Sequence, residues 1–144
     1  MASQDQNLFT KGNSVDGFLH TFLAEGAISE GQLVELGTAG RQVKKHTVTQ
    51  TALAIGICHE AAEDGKEVVI MCYGPIRKVI AAAAGITRGQ LVIPDGTTAG
   101  SCTSAAYADG TNLKGAVGIA LETADTIGER CPVLCGWPGV VATT

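Results

Sequence analysis

Cys58-His59-Glu60 is the place in this chain where a thiol, an imidazole and a carboxylate stand side by side. A thiol hydrolase needs such groups together, because an imidazole must take the proton from the attacking sulfur. The local pattern works against it. Cys58 and His59 fall in a stretch that reads as a strand, where neighbouring side chains point to opposite faces, so the two cannot form a nucleophile–base dyad. A structural role is therefore expected for His59; the other two histidines are His20 and His46. A hydrolase using dispersed residues around Cys58 or Cys72 is the enzymatic alternative. Cys131-Pro-Val-Leu-Cys135 lacks the spacing of a zinc knuckle. In an extended chain its two thiols share a face roughly 13 Å apart, too far to hold one metal alone. The glycines are spread singly, with no GxGxxG or GxxxxGK run to cradle a phosphate. Glu63-Asp64 reads as the solvated tip of a turn. No catalytic residue, metal site or cofactor is expected.

Composition narrows what could position any such group. The chain has 144 residues, 45% of them hydrophobic but only 4% aromatic, so a core must rest on Val, Ile, Leu and Ala. Nineteen glycines imply many turns and short strands. The formal charge is −4 and the basic residues are scattered (Arg41, Lys44-Lys45, Arg77-Lys78), which argues against nucleic acid as a partner. The longest apolar run, Val79 to Ile86, is far short of the roughly twenty residues of a membrane helix, so no membrane is expected. Five cysteines without a disulfide-framework spacing point to reduced thiols in a protein made in a cytoplasm.

The chain repeats itself. Ala27-Ile28-Ser29-Glu30-Gly31-Gln32-Leu33-Val34 returns as Gly85-Ile86-Thr87-Arg88-Gly89-Gln90-Leu91-Val92, at an offset of 58 (89 − 31). Ile55-Gly56-Ile57 then returns as Val117-Gly118-Ile119, at an offset of 62 (118 − 56). Two ordered echoes at nearly one spacing read as a duplicated unit. Within each phrase the isoleucine dips into a core. The hydroxyl residue favours a turn, Gly31 or Gly89 supplies φ > 0, and Leu-Val starts a strand. The expected organisation is a flexible arm over residues 1–13 and one β-rich domain over 14–144. That domain would hold a repeat at about 15–74 and 75–137.

The elements follow in order. Val15 to Ala24 reads as a strand, with Phe18, His20 and Phe22 on one face and Leu19, Thr21 and Leu23 on the other. Leu33–Leu36 and Arg41–Val48 form a hairpin around Gly37 to Gly40. Ala52–Glu60 is a strand in which Gly56 marks close packing or a bulge. Val68–Tyr73 is apolar enough to be buried on both faces. Gly74-Pro75 should break it and open the second half. There, Arg77–Ala82, Leu91–Ile93, Ala116–Glu122 and Cys131–Cys135 repeat the plan. Ser101–Gly110 reads as a surface loop, and one brief helix is expected somewhere. The fold class is mainly β: a compact sandwich- or barrel-like body of two duplicated halves.

The phrases Ala27 to Val34, Ala54-Ile55-Gly56-Ile57 and Ala116-Val117-Gly118-Ile119-Ala120 resemble those of tailed-phage capsid cement, or decoration, proteins, over about residues 15–140. The resemblance implies a structural virion protein, not an enzyme. It would bind the outer surface of the capsid and clamp neighbouring subunits of the major capsid protein, commonly as a homotrimer. Synthesis in the host cytoplasm and residence on the capsid exterior follow. It also gives the arm a role: Leu8, Phe9, Thr10 and Lys11 would contact the capsid, through β-strand addition. Gly31 and Gly89 would be the repeated structural turns. The alternative is a small-molecule or carbohydrate-binding β-clip-like module, for which Tyr73, Tyr107 and Trp137 offer little clustered stacking surface.

Overall fold

The computed structural model describes residues 18–49, 52–106 and 115–135. Nine strands run in chain order: β1 (Phe18–Ala24), β2 (Leu33–Leu36), β3 (Gln42–Lys45), β4 (Gly56–Glu60), β5 (Glu67–Ile80), β6 (Leu91–Pro94), β7 (Cys102–Ala105), β8 (Gly118–Ala120) and β9 (Arg130–Cys135). The described residues contain no helix. The brief helix expected somewhere in the chain does not occur among them, and the alanine run at 81–84 leads into a turn. Ala81 is bridged to Cys102, and Gly85 follows at φ +76°, which a right-handed helix does not admit.

The first half closes on itself. Its strand order is β1-β3-β2-β4-β5, and β1 also pairs with β5, so five strands make a barrel. β1 and β3 run parallel through Leu23↔Gln42 and Ala24↔Val43, while β1 and β5 run antiparallel from Phe18↔Tyr73 to Leu23↔Glu67. The interior is filled with aliphatic side chains and one thiol: Ala24, Ile28, Val34, Val43, Cys58, Val68 and Ile70, all buried. Closure leaves no free edge along these strands.

The second half repeats the plan as β5-β9-β8-β6-β7. β7 is drawn back to the end of β5 by the parallel Ala81↔Cys102 bridge and by Ala82 N–H donating to the Cys102 carbonyl at 2.8 Å. The pairings match position by position. Leu33↔Ile57 and Val34↔Gly56 become Leu91↔Ile119 and Val92↔Gly118. The Ile28↔Ala62 bridge becomes Ile86↔Ala124. The body is therefore built from two duplicated halves.

β5 belongs to both. Gly74-Pro75 does not break the strand, contrary to the expectation from sequence; β5 runs through it for 14 residues. Its first part pairs with β1 and β4, and its second with β9. Proline is accommodated because the register with β9 shifts between Gly74 and Arg77, and an interrupted ladder needs no N–H at that point. A second expectation also changes. The stretch 101–110 is not a loop throughout, because Cys102–Ala105 is β7, paired with β6 from Leu91↔Ala105 to Pro94↔Cys102. Its small residues hid it: Cys102 is fully buried and Ala105 nearly so. Gly56–Glu60 and Gly118–Ala120 are also shorter than the strands read from sequence.

Adjacent residues of β2 and β4 serve different cores. Val34 and Cys58 point into the first barrel. Leu33 and Ile57 point out of it, into the cluster formed by Val79, Ile86, Val92, Cys102, Ala120, Cys131 and Val133 of the second half. Burial on both faces explains why these strands read as continuous apolar pairs.

Candidate functional site

The repeated turn is built alike in both copies. Gly31 and Gly89 have φ of +87° and +83°. Gly31 N–H donates to the Cys58 carbonyl at 2.9 Å, and Gly89 N–H to that of Ala120 at 2.8 Å. Their surroundings differ. A Cβ on Gly31 would meet the Lys78 carbonyl and the Arg130 guanidinium, whereas one on Gly89 would meet nothing within 4 Å. Arg130 Nη1 donates to the Glu30 carbonyl at 2.7 Å, tying the first turn to the second half. The Gly89 turn faces open space.

The residues that invited a catalytic reading are not assembled. Cys58 is buried inside the first barrel and its Sγ lies 3.1 Å from the Glu60 carbonyl. Burial first, then the nearby Glu30 and Glu60 carboxylates, push its thiol up to about 11. That is the opposite of what a nucleophile needs. His59 is only half-buried. The Cys72 thiol is likewise pushed up by burial. Cys131 is buried in the second core, and burial raises its thiol too. The side chain of Cys135 lies outside the described residues. Among the described residues no three of His, Cys, Asp and Glu are grouped to hold a metal.

One polar cluster escaped sequence reading. Glu35 and His46 are both buried. The Glu35 carboxylate accepts from Thr47 N–H at 3.0 Å and Thr47 Oγ1 at 3.3 Å, with Lys44 Nζ at 3.6 Å and His46 Nε2 at 3.7 Å. His46 Nε2–H donates to the Ala52 carbonyl at 3.0 Å. The pairing Glu35↔Lys44 follows from the β2–β3 register, but the approach of His46 and Thr47 depends on how the chain leaves β3. Every member has a partner, so the cluster is a satisfied structural network, not a vacant site.

A second polar device sits at the tip of the β6–β7 connection. Asp95 Oδ2 accepts from Thr97 N–H at 3.0 Å and Thr98 N–H at 2.7 Å, and from the Thr97 hydroxyl. Burial pushes the Asp95 carboxyl up, but these hydrogen bonds outweigh it and hold the group below its usual range. The turn they shape delivers Gly100 to the first barrel. Leu33 N–H donates to the Gly100 carbonyl at 2.9 Å, and Gly100 N–H donates to that of His46 at 3.0 Å.

What remains for function is surface. The outer face of β1 carries Leu19 and Leu23, 43% and 40% exposed, flanking exposed Thr21. Alternation in the sequence placed these three on one face; only the closed barrel shows that this face is the outer one. Leu8, Phe9, Thr10 and Lys11 lie outside the described residues. Among the described residues no helix is long and apolar enough to cross a membrane.

Comparison with known proteins gives the following. The family model described as "Phage cement protein" matches residues 15–135. A solved structure, the head fiber gp8.5 N base of bacteriophage phi29, superposes with a TM-score of 0.58 at 14% identity, covering 88% of this chain and 98% of that one. At that identity the likeness is one of fold. No curated protein matches.

Proposed function

The chain belongs to the phage cement protein family, and we propose that it binds the outer surface of a tailed-phage capsid and clamps neighbouring subunits of the major capsid protein. The observation that carries this reading is the family match across almost all of the described body. Supporting it are the buried, raised thiol of Cys58 and a body whose first half packs Leu33 and Ile57 into the core of the second. These features favour a rigid binding element over a reactor.

In this reading the protein acts as a homotrimer on the capsid exterior, after synthesis in the host cytoplasm. Residues 1–13 form the arm, with Leu8, Phe9, Thr10 and Lys11 against the shell. Gly31 and Gly89 are structural. A bound copy stabilises the expanded shell by favouring the state it binds, and engagement of several subunits at once raises the effective affinity. Co-sedimentation of wild-type protein and a variant lacking residues 1–13 with expanded capsids tests the arm. Weaker pelleting of the truncated protein is expected, and equal pelleting would remove the arm from the mechanism.

A further inference from the structure

The junction between the two halves uses one surface of each, and the duplication leaves the matching surface of each unused. Inside the chain, the first half presents its Gly31 turn and Leu33. The second half covers them with Lys78, Gly100 and Arg130. Arg130 Nη1 donates to the Glu30 carbonyl at 2.7 Å, the Lys78 carbonyl stands where a Cβ on Gly31 would go, and Leu33 N–H donates to the Gly100 carbonyl at 2.9 Å. The covered turn returns in the second half as Arg88-Gly89 with Leu91. There a Cβ on Gly89 would meet nothing within 4 Å, and Leu91 is only half-buried. The covering surface returns on the first half. The pairs Lys78↔Pro132 and Ile80↔Arg130 match Thr21↔Val69 and Leu23↔Glu67, so Thr21 stands for Lys78 and Glu67 for Arg130. Arg41 stands for Gly100. Both have positive φ, and in each case the next N–H, of Gln42 or Ser101, donates three residues back at 3.2 Å. Thr21, Arg41 and Glu67 are all exposed.

We propose that the Arg88-Gly89 turn of one copy seats the Thr21, Arg41 and Glu67 face of a second copy, repeating between chains the junction already made within one. Two exchanges of residue type fit this contact. Inside the chain, the turn residue Glu30 meets Arg130. Across copies the same two places hold Arg88 and Glu67, again opposite in charge but with the signs exchanged. Both side chains are exposed, and neither forms an ion pair among the described residues. The second exchange is one of size. A Cβ on Gly100 would lie 2.8 Å from Lys45 Cγ, so the long side chain at that spot requires a glycine opposite. Val34↔Lys45 matches Val92↔Ser104, so across copies a serine takes the place of Lys45, and the long side chain comes from Arg41 instead. The contact joins two different surfaces and is therefore head to tail, which closes into a ring when the rotation between copies closes. This rests on the homotrimer reading, whose interface it names, and not on capsid binding.

Sedimentation-velocity ultracentrifugation of the full chain over a range of concentrations reads this contact without any capsid. The wild-type protein should assemble to a trimer. Arg88→Glu and Glu67→Arg should each raise the dissociation constant at least about tenfold, because like charges then face each other, while circular dichroism stays that of the wild type. The double variant carrying both changes restores opposite charges and should recover the trimer. A wild-type monomer at every concentration would overturn the proposal and leave capsid binding, which co-sedimentation reads, untouched. A trimer that both single variants leave intact would keep the homotrimer and overturn this interface. A double variant that stays dissociated would overturn it too.

Discussion

The amide of Leu33 donates to the carbonyl of Gly100 at 2.9 Å, joining the first barrel to the turn at the tip of the second half. Gly100 answers with its own N–H to the His46 carbonyl at 3.0 Å. Its φ is +76°, and a Cβ there would lie 2.8 Å from Lys45 Cγ and 3.2 Å from Gln32 Cβ. Gly100→Ala therefore combines left-handed strain with crowding at the junction. The expected loss is about 2 kcal/mol, read as a lower urea midpoint. An unchanged midpoint would mean that the junction adapts freely.

Gly56 and Gly118 occupy matching places, and a Cβ on either would run into backbone: the Met71 carbonyl for Gly56 and the Leu134 carbonyl for Gly118. A neighbouring strand cannot retreat without breaking its ladder. Gly56→Ala and Gly118→Ala should each cost about 3 kcal/mol or more, lowering Tm by roughly 10 °C for a chain of this size. Thermal unfolding by differential scanning calorimetry measures it. Similar losses at both positions would show that the two halves depend on the same close strand contact.

The hydrogen bonds to Asp95 make a pH-dependent contribution. Its carboxyl is held below the usual range in the folded protein, so the stabilisation is fully present above the unfolded carboxylate value of about 3.9. It is lost as pH falls through the folded value. Asp95→Asn should lower stability at pH 7 by about 1 kcal/mol. The gap between variant and wild type should shrink below about pH 4. Chemical denaturation at pH 7, 4 and 3 gives the comparison; a gap independent of pH would assign the effect to shape and not charge.

Cys58 should be nearly inert in the folded protein. With its thiol raised to about 11, the thiolate fraction at pH 8 is about a hundredfold below that of an ordinary cysteine. Burial slows access further. Iodoacetamide labelling followed by peptide mass spectrometry should show Cys58 modified only after denaturation. Rapid labelling of the native protein would revive a thiol-based activity.

Much of this architecture could be read from residue types because it is local and stated twice. The isoleucine, hydroxyl, glycine and Leu-Val of each phrase reappear as the Ile28↔Ala62 and Ile86↔Ala124 bridges around positive-φ glycines. What escaped depends on partners distant in sequence. Gly74-Pro75 reads as a stop until the register shift opposite β9 makes room for it. β7 is too poor in large apolar residues to announce itself, and is a strand because β6 pairs with it. The divergence of Leu33 and Val34 into two cores cannot be read from one strand alone. The Glu35–His46 network joins residues on either side of a hairpin, and alternation alone would leave both in solvent.

Binding to the shell is the claim on which the rest converges, and saturable sedimentation tests it most directly. Labelled protein should pellet with expanded capsids to a fixed number of copies per capsid subunit, and should do so far less with unexpanded shells. Failure to pellet with expanded capsids, or binding that rises without saturation on both kinds of shell, would contradict the account.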